Sequence, residues 1–205
     1  MGGRRGYGPT HSQSLERLFL GVPEVLVTSI NKFTDVTELY NYGLVNGMPH
    51  ISFEHKLNYS SKCIKILKED YIYNKSADSS QTIIITPKND YPKTTVVTFG
   101  YGVDLIENYI AENGCRVEVV APTIISPLNM LPIIKSLLKT GRLFILEEGA
   151  DSFGLSAALN LELNKSKINF EFLGSSGNSN IIPASVSAES LLLDDYISKL
   201  NEVGL

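Results

Sequence analysis

The 205 residues are 43% hydrophobic and 20% charged, the balance of a chain that buries a core, and their formal net charge is -4. An acidic body repels phosphate backbones and anionic lipid, which argues against a nucleic-acid or membrane-surface binder; Arg4 and Arg5 are the local exception. No apolar run reaches the roughly 18 to 20 residues of a membrane span, and the N-terminus lacks a signal-like apolar core, so a cytoplasmic location is expected.

Thr10 and Gln13 have capping-box spacing, and Leu15, Leu18 and Phe19 then mark one apolar face, which predicts a helix over 12–20 with His11 at its first turn. Gly21 and Pro23 end it, and the β-branched run 25–30 predicts a strand. A second helix is expected from Thr34 or Asp35 to Asn46 and Gly47, with Val36, Leu39, Tyr40 and Leu44 on its face, followed by a strand over 50–55. This β-α-β unit belongs in an α/β sheet, yet residues 1–57 alone are too few to bury both faces of one.

Residues 58–93 alternate short apolar runs with Ser, Asn, Asp and Lys, and are expected as a linker with a hairpin about the SADSS turn. From Thr94 the alternation becomes regular. A strand over 94–100 precedes a helix over 103–114, with Leu105, Ile106, Tyr109 and Ile110 on one face and Gly114 as its stop. Strands at 116–121, 142–148 and 168–174 then alternate with helices at 130–141 and 153–163, and a last helix over 188–203 carries Leu193, Ile197 and Leu200. Such alternation predicts a mainly parallel, three-layer α/β domain over 94–205.

Few residues carry an obvious chemistry. GYGV at 100–103 lacks the third glycine of a dinucleotide fingerprint, and the following strand runs into Ala121 and Pro122 without the acidic residue, so a tight turn is preferred. Glu147 and Glu148 end a strand where open sheets collect ligands, but neighbours in extended chain point to opposite faces; one solvated and one capping the next helix is the expected arrangement. His50 and His55 are assigned packing or hydrogen bonding, and Cys63 and Cys115, lacking metal-ligand spacing, are read as reduced thiols. His11 stands apart, beside a glycine-rich loop at a predicted helix N-terminus, where amides and dipole attract anions. Residue type alone leaves it between cap neighbour and site.

Taken whole, GYGPTHSQSLERLFLGVPEVLV followed by GMPHISFEHKLNY resembles the β subunit of the thiamin diphosphate-dependent E1 component of 2-oxo acid dehydrogenases. The shared features are a glycine-rich loop, an H-S-Q helix start, a proline leading into a strand, and a later proline before a strand ending in Glu-His. VVTFGYGV, VEVVAPTIISPLN, GRLFILEEGADSFGLSAAL and IIPASVSAESLLLDD resemble successive elements of the transketolase C-terminal domain of those subunits.

The resemblance implies a three-layer transketolase C-terminal-type domain preceded by a partial α/β pyrimidine-binding domain. Residues 1–57 would be the second half of the pyrimidine-binding domain, 58–93 a linker and 94–205 the transketolase C-terminal-like domain. The missing half would lie outside this chain. The resemblance further implies that His11 faces the thiazolium end of the cofactor, moving protons or orienting the lipoyl group, while Gly6, Gly8, Ser12 and Gln13 shape the loop. It assigns no metal ligand to this chain. It implies thiamin diphosphate with magnesium shared with an E1 α-type subunit, a lipoyl-bearing E2 partner, and self-dimerisation through the C-terminal domain. The reaction would be oxidative decarboxylation of a 2-oxo acid with acyl transfer to lipoyl, and this chain alone would be inactive. Two other readings stand beside this one: a noncatalytic dimerisation or docking module, and a fragment of transketolase or deoxyxylulose phosphate synthase type, whose usual sequence differs where H-S-Q stands.

Overall fold

A computed structural model describes residues 2, 11–60, 62–78, 80–149, 152–177 and 196–205. In chain order the strands are β1 (Leu26–Ile30), β2 (His50–Glu54), β3 (Tyr71–Lys75), β4 (Ile83–Pro87), β5 (Thr94–Thr98), β6 (Val117–Ala121), β7 (Ile124–Ser126), β8 (Arg142–Leu146) and β9 (Glu171–Ser175). The helices are α1 (Val36–Val45), α2 (Gly102–Asn113), α3 (Leu131–Thr140) and α4 (Leu155–Ser166), and residues 196–202 are also helical.

The larger sheet has six strands in the order β3-β4-β6-β5-β8-β9. β5 pairs in parallel with both β6 and β8, and β8 with β9, while the β3–β4 hairpin adds antiparallel on β6. Its central strands β5, β6 and β8 are buried almost throughout because both faces are covered. Val96, Val119 and Phe144 pack with α2 and with Tyr196 and Leu200, whereas their neighbours Val97, Val120 and Ile145 pack with α3 and α4. The expected three-layer, mainly parallel α/β domain is the result.

α2 and α3 stop at a glycine where the backbone turns left-handed. Gly114 at φ 69° and Gly141 at φ 69° each donate their N–H to a carbonyl four residues back, in Ile110 and Leu137. Gly102, in the first turn of α2, is fixed for another reason: a Cβ there would lie 2.0 Å from Thr98 Oγ1, whose hydroxyl donates to the Leu146 carbonyl at 2.8 Å. Gly102→Ala is expected to cost roughly 1–3 kcal/mol by overpacking, seen as a lower urea midpoint with an unchanged slope.

The smaller sheet has the order β2-β1-β7. β1 and β2 pair in parallel and are joined by α1, which starts at Asp35, where the carboxylate accepts from the Glu38 N–H at 3.0 Å. The predicted β-α-β unit is therefore present. β7 was not predicted; it pairs antiparallel with β1 and closes the other side of the sheet with a strand from the second half of the chain. Leu26, Leu39 and Ile124 form a small core between them.

Four expectations are corrected. The helix over 12–20 shrinks to a 3-10 turn at Glu16–Leu18, in which Leu18 is exposed and Glu16 buried, the reverse of the predicted face. So short a segment, bounded by Gly21 and Pro23, cannot offset the cost of helix nucleation. On α1 only Leu39 and Gly43 are buried, and Val36, Tyr40 and Leu44 form an exposed stripe. Residues 58–93, expected as a linker, do contain the hairpin, but β4 builds it into the larger sheet. In the final helix Tyr196 and Leu200 are buried while Ile197 is largely exposed; Leu193 lies outside the described residues.

Candidate functional site

His11 is exposed and sits in a turn, and no helix among the described residues starts at it. Ser12 beside it is buried, and its Oγ has no hydrogen-bond partner among the described residues. Gln13 is half-buried, and its carbonyl accepts the Gly2 N–H at 3.4 Å. The backbone of His11 is held by Lys56, whose Nζ donates to the His11 carbonyl at 2.6 Å. His11, Ser12 and Gln13 thus stand together as a contiguous turn; Gly6, Gly8 and Thr10 lie outside the described residues.

Behind this turn lies a cluster of acids. Glu16, Glu147 and Glu148 come from the 3-10 turn and from the end of β8, and His55 from the end of β2. Burial pushes the Glu16 carboxyl up to about 8, a backbone hydrogen bond opposes the shift, and the charges of Glu148 and Glu147 reinforce it. Its Oε2 has no partner among the described residues. Burial also raises Glu147, while hydrogen bonds from Ser156 and Ser175 pull it back. Because Ser156 lies in the first turn of α4, Glu147 is the helix-capping carboxylate that was expected.

Glu148 is not the solvated partner. It accepts from His55 Nε2 at 3.1 Å, and its side chain is 15% exposed. His55 Nδ1 accepts the Leu57 N–H at 3.2 Å, so the ring proton sits on Nε2, and the ring stacks on Tyr101 at 4.7 Å between centroids. His50 pairs with the Thr28 hydroxyl at 2.9 Å. Both histidines do the hydrogen bonding predicted for them.

Ser14, His55, Tyr101, Glu147 and Glu148, among others, line a small crevice. It lies at the carboxyl ends of β5 and β8, where the strand order of the larger sheet reverses. Its carboxylates are engaged by the chain's own donors. The sequence reading missed Glu16, whose inward direction contradicts the helical phase, and it missed Lys56 and Tyr101. The Glu-Glu pair was the one available signal.

GYGV forms the tight turn that was preferred, with Gly100 at φ 55° before α2. Among the described residues no trio of His, Cys, Asp and Glu is placed to hold a metal ion, and Cys63 and Cys115 are free thiols. No helix among them is long and apolar enough to cross a membrane.

The layered sheet with its helical crossovers defines the class, and the sequence agrees: residues 85–197, more than half the chain, match the transketolase C-terminal domain, and the chain belongs to that family. Within it the similarity points to one kind of subunit. The β-2 subunit of the chloroplastic pyruvate dehydrogenase E1 component of Arabidopsis thaliana is 27% identical over 161 residues, covering 78% of this chain and 38% of that protein. The corresponding β subunit of Rickettsia bellii is 28% identical over 151 residues, covering 67% of this chain and 46% of that one. The chain therefore spans less than half the length of these curated relatives. A solved structure described as a split gene transketolase, inactive β4 tetramer, shares the fold with a TM-score of 0.62 at 15% identity, covering 96% of this chain and 63% of that one.

Proposed function

We propose that this chain acts as a β-type subunit of a 2-oxo acid dehydrogenase E1 component, in oxidative decarboxylation of a 2-oxo acid with acyl transfer to a lipoyl group. The observation that carries this reading is the exposed His11 in an H-S-Q turn, on a chain whose curated relatives are β subunits of pyruvate dehydrogenase E1. Residues 1–57 would be the second half of a pyrimidine-binding domain, 94–205 the transketolase C-terminal-like domain, and 58–93 the connection that carries the hairpin.

The donor set fits one wall of a thiamin diphosphate site. An exposed imidazole suits proton transfer, whereas the described residues offer no acidic trio for magnesium. In this reading the diphosphate and magnesium are shared with an E1 α-type partner. When bound, thiamin diphosphate supplies the carbanion chemistry; His11 gives or takes a proton at its imidazole, or orients the incoming lipoyl group. Ser12 and Gln13 shape the turn that presents it. The exposed stripe of Val36, Tyr40 and Leu44 supports a covering partner chain. A lipoyl-bearing E2 and a second copy, docked through the C-terminal domain, complete the assembly. Free Cys63 and Cys115 suit a reducing compartment such as the cytoplasm.

The test is reconstitution with an E1 α-type subunit, thiamin diphosphate, magnesium and a polypeptide carrying the first half of a pyrimidine-binding domain. Turnover of a 2-oxo acid is expected only with all parts present, and His11→Ala should lower kcat about 10²- to 10⁴-fold with an unchanged Tm. Full activity of the His11→Ala assembly would overturn the role of His11. Association without turnover would favour the docking module instead.

A further inference from the structure

We propose that Lys56 is a positioning residue, fixing the backbone of His11 so that the imidazole is presented from one place; the proposal rests on the assignment of His11 to the reaction. Lys56 opens a short 3-10 helix, Lys56–Ser60, directly after β2. Its ammonium reaches back across the chain to the His11 carbonyl at 2.6 Å, a short charge-assisted bond.

The base from which Lys56 reaches is rigid. His55, the preceding residue, is held on three sides by the Leu57 N–H, Glu148 and the Tyr101 ring. Asn58 donates its N–H to the His55 carbonyl at 2.9 Å and its side-chain amide to the Ile30 carbonyl at 3.1 Å. The root of the lysine is thereby tied to β1, to the end of β8 and to the start of α2.

Among the described residues the turn it holds has little else to fix it. His11 is exposed, among the described residues no regular element begins before Glu16, and the backbone bond to Gln13 from Gly2 is long, at 3.4 Å. A proton-transfer group must sit within hydrogen-bond reach of its target, so a loose backbone at His11 would lower the productive fraction without altering ground-state binding. Lysine is well matched to this position, since its long stem spans the gap and its ammonium has three donors and no acceptor.

The test compares Lys56→Met, which keeps the stem and loses the donors, with Lys56→Arg, which keeps a charged donor. In the full chain, ¹⁵N order parameters at residues 11–13 should fall from about 0.85 to below about 0.6 in Lys56→Met and stay near the parent value in Lys56→Arg, with β1 and β2 unchanged in both. In the reconstituted assembly Lys56→Met should lose about tenfold in kcat at unchanged KM, and Lys56→Arg should recover most of it. Unchanged order parameters in Lys56→Met, or a loosened turn with parental kcat, would overturn the proposal. An assembly in which the unaltered chain shows no turnover would instead overturn the function proposed for it, and the order parameters would still decide whether Lys56 holds the turn.

Discussion

Lys32→Met is expected to destabilise the protein by about 3–5 kcal/mol, the typical cost of removing one partner from a buried ion pair. Lys32 follows β1, and its ammonium lies 3.2 Å from Asp104 Oδ1 and pairs also with Glu107 Oε2, both on α2. The Lys32 side chain is 2% exposed and that of Glu107 is fully buried. Without the ammonium two carboxylates would remain in a medium that solvates them poorly. Glu107 would keep its donors, the Tyr73 hydroxyl and the Ile66 N–H, but Asp104 Oδ2 already has no partner among the described residues.

The loss would fall on one seam, because Lys32 belongs to the small sheet and α2 to the layer on the large one. Urea unfolding measures it. Adding Glu107→Gln to Lys32→Met should return part of the loss, since it removes one stranded charge. A single variant within about 0.5 kcal/mol of the parent would show that the cluster contributes nothing net.

Glu16→Gln should change how stability depends on pH. The folded carboxyl titrates near 8 and the unfolded one near 4.5. Below pH 4.5 both states hold the proton and the group has no effect. As pH rises from there the unfolded chain releases its proton while the folded chain keeps it, so stability is lost steadily until about pH 8 and is level beyond. At about 1.4 kcal/mol per pH unit the loss across that window is of order 4 kcal/mol. Glutamine cannot titrate, so Glu16→Gln should match the parent near pH 4.5 and exceed it at pH 8 by roughly 2–4 kcal/mol. Urea midpoints at the two pH values read the difference. Parallel pH slopes for the two proteins would mean that Glu16 is solvated.

The larger sheet was legible because each of its parts obeys a local rule. β5, β6 and β8 are short runs rich in Val, Ile, Leu, Phe and β-branched Thr, the composition of strands covered on both faces, and Gly114 and Gly141 stand where α2 and α3 must turn. The failures share a different character. The face of α1 was misread because its inward positions are Leu39 and Gly43, and a glycine against Leu26 carries no hydrophobic signal. β7 spans only Ile124–Ser126, too short for periodicity to register. In the site, His11 drew notice through its surrounding motif, while the bond of His55 to Glu148 and that of Lys56 to His11 join residues far apart in sequence, which no window can contain. The inward turn of Glu16 opposed the only local pattern available.

The pairing of β1 with β7 orders events during synthesis. Thr28 meets Ile124 across that ladder, so β1 leaves the ribosome long before its antiparallel neighbour has been made. Until then β7 cannot cover that edge, while α1 and β2 can already gather on the other side of β1. β1 and β2, although they precede β3 to β6 in the chain, are joined by β7 only after β3 to β6 have been translated. A nascent chain halted before residue 124 would carry an unsealed strand, the state in which chaperone capture or mispairing with another chain competes with correct closure.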